Sequence, residues 1–321
     1  MLSDKNPDNK PPLLKNFIIV NKKITGICLA IILLAILTTN FWRLNPEDPD
    51  AARAVSIYTE ILYNVEIVGE SFTSLTTTLG SYAAKRVSEN PLTAALLVRL
   101  LKDAGVSADS VLAVNASGSF PGFALAALSA SAALGLRTYV IASIGSSSYG
   151  ANIPGNTIAD MLLKDNVRNL GFTLLAVTPG GSNDRGRVLD PEELERISLL
   201  LEKHGIPFIL PNDLIHAIDI RESFFNEAGS TLLLNIGGSH ASSGDNLDIA
   251  LMAGIIKPDR ENRFDDPGLI QSFLRQNIPV IQILNIKQLL AAYDLDFDEN
   301  GKLIGNTEKL LRYPRINKRS R

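Results

Sequence analysis

The sequence has little cysteine, little histidine and a small net charge, and each of these excludes a class of site. Cys28 is the only cysteine in the 321 residues, so the chain forms no internal disulfide and has no cysteine cluster for a metal. The three histidines, His204, His216 and His240, are widely spaced, and no HExxH pair occurs. The net charge of −3 argues against binding of nucleic acid by electrostatics alone. We expect neither a bound metal nor a nucleic acid partner.

The chain also lacks the motifs that hold nucleotide cofactors. The stretch NIGGSHASSG at 235–244 does not have the GxGxxG spacing of a dinucleotide turn. The stretch TPGGSNDRGR at 178–187 is not followed by the Gly-Lys-Ser/Thr of a P-loop. We therefore expect no cofactor.

The one long apolar run is near the N-terminus. Ile24 to Trp42 carries no charge and is just long enough to span a bilayer, and Phe41 and Trp42 suit its interface. The lysines that precede it favour a cytoplasmic N-terminus and an extracytoplasmic main domain. A cleaved signal peptide is the main alternative, but no A-x-A-like site follows the apolar core. We interpret the run as a single-pass signal anchor in the cell membrane.

The rest of the chain alternates short apolar strands with helical segments, beginning at the strand 111–114. This pattern predicts an α/β fold with an open, mostly parallel, Rossmann-like sheet that carries helices on both faces. About six strand–helix units are too few for an eight-stranded barrel. The predicted organisation is a cytoplasmic basic tail (1–23), the transmembrane anchor (24–42), a helical segment packing on the main domain (43–106), the α/β domain (107–293) and a polar, basic C-terminal tail (294–321).

Four predicted strands end in loops rich in glycine and serine, which we call the edge loops: Asn115–Pro121, Gly145–Asn156, Thr178–Arg187 and Asn235–Asp245. Parallel strands place their carboxyl ends at one edge, so we expect these loops to form one ligand cleft. Each loop by itself is more typical of a simple turn. The predicted ligand-binding residues are Ser117, Gly118, Ser119, Ser146, Ser147, Ser148, Gly180, Gly181, Arg185, Arg187, Gly237, Gly238 and Ser239.

A serine nucleophile is a second interpretation of the same loops. Ser119 lies at a strand-to-helix turn, and His240 is the only histidine in an edge loop. Asp160, Asp184 or Asp245 could orient that histidine. The sequence around Ser119 is not the G-x-S-x-G elbow, and serines at such turns more often cap helices or bind anions.

Three stretches together carry a resemblance to a known family. NASGSFPGFALAALSASAALGL, IASIGSSSYGANIPGNTIADML and NIGGSHASSG resemble the poly-gamma-glutamate system proteins. The resemblance runs from the apolar segment to about Asn285. It implies a bacterial membrane-anchored protein that works with the membrane subunits making or exporting poly-gamma-glutamate, and it implies no catalytic residues. Three functions remain open: an accessory protein that binds an anionic ligand, a serine hydrolase or transferase acting on an acyl or amide polymer, and a non-catalytic structural subunit.

Overall fold

The computed structural model divides the chain into two units. One combines Met1–Glu47 with Tyr313–Arg321, and the other is Asp48–Arg312. The residues that the structure describes are 26–34, 46–259 and 265–313.

The predicted anchor belongs to the first unit and is described only in part. Residues 26–34 form a helix, whereas the remainder of Ile24–Trp42 and the predicted basic tail 1–23 lie outside the described residues. In the part of the chain that the structure describes, no helix is both long enough and apolar enough to cross a membrane.

The second unit is a mixed α/β domain. Its strands are β1 Thr76–Thr78, β2 Val111–Ser117, β3 Arg137–Ser143, β4 Ser146–Ser147, β5 Asn152–Ile153, β6 Asn156–Thr157, β7 Thr173–Thr178, β8 Leu232–Ile236, β9 Gly254–Ile256, β10 Val280–Ile283, β11 Leu295–Phe297 and β12 Leu303–Gly305. Its helices are α1 Pro49–Asn64, α2 Tyr82–Arg86, α3 Leu92–Asp103, α4 Pro121–Leu134, α5 Ile158–Leu163, α6 Asp165–Arg168, α7 Pro191–Lys203, α8 Leu214–Glu227, α9 His240–Ser243, α10 Leu247–Leu251, α11 Leu269–Arg275 and α12 Ile286–Ala291, with 3₁₀ turns at Val87–Glu89, Ser182–Asp184 and Thr307–Leu311.

The central sheet confirms the predicted α/β fold with a mostly parallel sheet. Among the described residues, six strands pair in the order β7-β3-β2-β8-β10-β9. All the pairs are parallel except β10 with β9. The chain runs outward from β2 through β3 to β7 and then returns through α8 to β8 on the other side of β2. The strand order therefore reverses between β2 and β8, the place where open α/β sheets bind ligands.

Both faces of the sheet are covered. Side chains alternate along β2, so Leu112 and Val114 pack into one apolar cluster while Ala113 packs into another. The first cluster contains α1, α3 and α4, and the second contains Phe225 of α8 and Phe273 of α11. The carboxyl edge of the sheet is thus held between two helical layers.

Some predicted elements differ from those observed. Phe208 forms one bridge with Val177 and no strand, because Pro207 and Pro211 cannot donate to a ladder. The predicted helical segment 43–106 is not helical throughout: α1 ends at Asn64, and the threonine-rich β1 follows it and pairs with β4.

The segment predicted as a polar tail from residue 294 also contains regular structure. Strands β11 and β12 form an antiparallel hairpin. Leu295 and Leu310 are buried in the core cluster. The apolar residues Leu295 and Phe297 alternate with aspartates, which is the pattern of a half-buried strand.

Candidate functional site

The four edge loops meet in one cavity of about 440 Å³, which we call the cleft. It lies at the carboxyl ends of β2, β3, β7 and β8, where the strand order reverses. Thr77 and Thr78 of β1 form a further part of its wall. Predicted ligand residues that line the cleft are Ser117, Ser119, Gly180, Gly181, Gly238 and Ser239.

The other predicted ligand residues do not line the cleft. Ser147 lines an adjoining cavity, while Gly118, Ser146, Ser148, Arg185, Arg187 and Gly237 line neither.

The serines of the second edge loop hold that loop in place. Ser146 Oγ donates a hydrogen bond to the carbonyl of Gly118 (2.9 Å). The N–H of Ser147 donates to Ser119 Oγ (3.0 Å). Ser148 is buried, and its N–H donates to the carbonyl of Thr78 (3.0 Å). Hydrogen bonds from Ser146 and Ser147 therefore join the second edge loop to the first.

The two arginines of the third edge loop do not line the cleft, although the sequence predicts that they bind a ligand. Arg185 and Arg187 are exposed and lie outside the cleft. Asn183 and Asp184 both have positive φ, and the Asp184 side chain turns inward to a buried ion pair. The backbone that directs Asp184 inward leaves the arginines in solvent, so they are not placed to grip a ligand in the cleft.

The partner of Asp184 is Arg221, a fully buried residue of α8 that sequence reasoning did not single out. All five of its N–H donors have an acceptor. Nε donates to Asn115 Oδ1 (3.1 Å), Nη1 to Asp184 Oδ2 (2.7 Å) and the carbonyl of Ala217 (2.9 Å), and Nη2 to Thr178 Oγ1 (2.8 Å) and Ser143 Oγ (3.0 Å).

A ladder of amides extends this network across the sheet. Asn115, Asn235 and Gln282 stand at one register on β2, β8 and β10. Asn115 Nδ2 donates to Asn235 Oδ1 (2.7 Å), and Asn235 Nδ2 donates to Gln282 Oε1 (2.5 Å). Because Ser143 lines the cleft and also binds Arg221, the network fixes the strand ends behind the cleft.

Ser119, His240 and Asp184 do not form a hydrogen-bonded triad in the described structure. His240 Nδ1 accepts the N–H of Asn183 (3.1 Å), so the neutral ring carries its proton on Nε2, 2.9 Å from Asp245 Oδ1. Ser119 Oγ accepts from Ser147 instead. Of the three aspartates considered for the histidine, Asp245 is the one that binds it; Asp160 binds Arg196 and Thr157.

A second cavity of about 500 Å³, which we call the lysine cavity, adjoins the cleft and shares Thr78, Ser119 and Gly238 with it. Lys85 of α2 lines it with a side chain only 3% exposed. Its Nζ donates to the main-chain carbonyl of Ser119 and lies 3.4 Å from the centroid of the Phe120 ring. Burial lowers the pKa of Lys85 to about 7.

No sequence signal pointed to Lys85, because α2 is too short to show a helical period. Arg221 did leave a signal: it shares one helix face with the buried Ala217 and Phe225, four residues to either side. Within the described residues, no group of three or more His, Cys, Asp or Glu side chains could hold a metal ion.

Comparisons with known proteins add little. No protein-family model matches the chain, and no curated protein matches it. Solved structures with some likeness include O-ureido-L-serine synthase (16% identity, 47% of this chain, 45% of that chain, TM-score 0.21). Another is a hydrogen sulfide-producing enzyme from Fusobacterium nucleatum (12% identity, 56% of this chain, 55% of that chain, TM-score 0.21). A third is a pyridoxal 5'-phosphate-dependent aspartate racemase (15% identity, 60% of this chain, 55% of that chain, TM-score 0.19). The chain spans about half the length of these three chains, and similarity at such TM-scores does not define a function.

Proposed function

We propose that this protein is a membrane-anchored accessory component of a poly-gamma-glutamate synthesis or export system, and that its cleft binds a segment of the anionic, amide-linked polymer. The observation that carries the binding role is the convergence of four Gly/Ser-rich edge loops in one cleft where the strand order reverses. The pathway rests on the resemblance of three of these loops, with the helices that follow two of them, to the poly-gamma-glutamate system proteins.

The chemistry of the cleft suits an amide-linked chain. Six serines of the strand ends and edge loops and two threonines of β1 line it, and glycines at the loop turns allow close approach of a ligand to the backbone. Hydroxyls can both donate to and accept from an amide, and they can donate to a carboxylate. Neither lysine nor arginine lines the cleft among the described residues, and the side chain of Asp245 does, so affinity for an anionic chain would come from hydrogen bonds and not from net charge.

The test is calorimetric titration of the detergent-purified full chain with gamma-linked glutamate oligomers at low salt, with alpha-linked oligomers in parallel. Ser182 is exposed and lines the cleft, so Ser182→Trp narrows the cleft without disturbing the core. Ser107 is exposed at the opposite, amino-terminal edge of the sheet, which makes Ser107→Trp the matched control.

We expect gamma-linked oligomers to bind the wild-type chain and Ser107→Trp equally, and to bind Ser182→Trp at least tenfold more weakly. Equal binding of alpha-linked oligomers would remove the specificity for the gamma linkage. Absence of binding to the wild-type chain would refute the binding role.

Binding is favoured over hydrolysis because the proposed nucleophile lacks its base. Both ring nitrogens of His240 have partners other than Ser119. Should turnover of the polymer be detected, Ser119→Ala would have to abolish it before the hydrolase alternative could be retained.

Membrane anchorage by Ile24–Trp42 is part of the same proposal, with the cleft on the extracytoplasmic side. Its support is the uncharged run preceded by lysines. In a Cys28→Ser background, a membrane-impermeant maleimide added to intact cells should label Ser107→Cys and should not label Ser3→Cys. The reverse pattern would invert the topology, and release of the protein on carbonate washing would refute the anchor.

A further inference from the structure

Lys85 is a buried amine that the proposed binding role does not use. Its Nζ has a carbonyl oxygen and an aromatic ring as neighbours, and no carboxylate binds it in the described residues. On its own helix, Arg86 is paired with Glu89. The charged side chains that line the lysine cavity are Lys85 itself and the exposed Lys287.

These surroundings leave a large fraction of the amine uncharged near neutral pH. The face of the Phe120 ring would favour an ammonium ion, but burial opposes the charge more strongly, and the pKa falls to about 7. A neutral amine has two N–H donors and one lone pair. One N–H is donated to Ser119, which leaves the lone pair available to react.

We propose that Lys85 is a nucleophile that forms an imine with a carbonyl compound, an aldehyde or a 2-oxo acid carrying an anionic group, bound in the lysine cavity. The cavity volume of about 500 Å³ holds a small organic molecule. Leu79, Phe120 and Leu284 provide apolar wall, and Lys287 provides a positive charge for the anionic group.

The chemistry needs no reagent beyond the carbonyl compound. The Nζ lone pair forms a bond to the carbonyl carbon while the C=O π electrons move to oxygen, which takes a proton released from nitrogen. The nitrogen lone pair then forms C=N as the oxygen departs with a second proton as water. The overall change is amine plus carbonyl to imine plus water, with no change of oxidation state, and hydrolysis of the imine reverses it.

A role for Lys85 as the base of Ser119 fits the contacts less well. Nζ binds the main-chain oxygen of Ser119, and the hydroxyl of Ser119 accepts from the N–H of Ser147 (3.0 Å). The described structure shows no hydrogen bond between the amine and the hydroxyl. Lys85 itself lines the cavity, so attack on a carbonyl compound bound there would require no relay through Ser119.

The test incubates the full chain with glyoxylate or with pyridoxal 5'-phosphate, two aldehydes with anionic groups, and traps any imine with borohydride at pH 7. Peptide mass spectrometry then locates the reduced adduct. We expect Lys85 to be labelled at least tenfold more than the exposed Lys203. Lys287→Met should keep the adduct at Lys85 and raise the aldehyde concentration needed severalfold.

Site mapping on the wild-type chain keeps the test independent of whether a variant folds. Lys85→Met should lose the adduct while Lys203→Met keeps it. Labelling spread over surface lysines without preference for Lys85 would overturn the proposal, as would no adduct at all. Because the probes differ from glutamate oligomers, failure here leaves the titration result for the cleft unchanged.

Discussion

Two buried basic side chains, Arg221 behind the cleft and Lys85 beside it, have opposite surroundings. Each N–H donor of Arg221 has an acceptor, and Nη1 lies 2.7 Å from Asp184 Oδ2. Lys85 has a single carbonyl and a ring, and burial drives its pKa down to about 7. A buried cation whose donors all have acceptors and whose charge is paired stabilises the fold. A buried amine without a paired carboxylate favours its neutral form, which is nucleophilic, and is therefore a candidate for catalysis or covalent binding.

The largest expected effect on stability comes from removing Arg221, whose N–H donors all have acceptors. Arg221→Met leaves the carboxylate of Asp184 buried without its partner, so the free energy of unfolding should fall by about 3–5 kcal/mol. Urea denaturation monitored by circular dichroism measures it. Arg185→Met removes the neighbouring but exposed arginine and should change stability by less than about 0.5 kcal/mol. Equal losses in the two variants would contradict a structural role specific to Arg221.

The lowered pKa of Lys85 should make the free energy of unfolding depend on pH. The folded pKa of Lys85 is about 7 and the ordinary value is 10.5, so between these pH values only the unfolded chain holds the proton. Stability of the wild type should therefore rise with pH in this window, by roughly 1.4 kcal/mol per pH unit relative to Lys85→Met. Lys203→Met provides the baseline. If the Lys85→Met and wild-type curves ran parallel, Lys85 would be charged in the folded protein.

This contrast also marks how far the sequence could predict the site. The edge loops could be predicted because apolar runs ending in glycine and serine identify strand ends before any contact is known. Their convergence follows from a parallel sheet. Residue type alone indicated that Arg185 and Arg187 could bind anions, but the direction of a side chain depends on backbone angles such as the positive φ of Asn183 and Asp184.

The pairing of buried groups was beyond sequence reasoning. Arg221 lies on the buried face of α8, yet its partners come from β2, β3, β7 and the third edge loop, which only the folded sheet brings together. The lowered pKa of Lys85 is caused by burial, a tertiary property. Local sequence therefore predicted the α/β scaffold and the ends of its central strands, and tertiary packing decided which buried charges are paired.

A smaller effect tests whether the backbone of the edge loops is as constrained as the network behind the cleft. Gly237 has φ of +92°, and a Cβ there would lie 2.0 Å from Ser117 Oγ. Gly237→Ala should lower the free energy of unfolding by about 3 kcal/mol. Gly155 also has positive φ but open space around it, so Gly155→Ala should cost only about 1 kcal/mol. If Ser117→Ala failed to relieve Gly237→Ala in the double variant, the close approach to the hydroxyl would not be the cause.

The smallest effect concerns the exposed cations. Arg185 and Arg187 lie on an edge loop but outside the cleft, so Arg185→Ala and Arg187→Ala should change the Kd for gamma-linked glutamate oligomers less than twofold at moderate salt. Any residual effect should vanish as salt is raised, because charges in solvent act only through a screened field. Titration of both variants beside Ser182→Trp measures it. A tenfold loss that persisted at high salt would mean that the loop rearranges on binding and that these arginines contact the ligand directly.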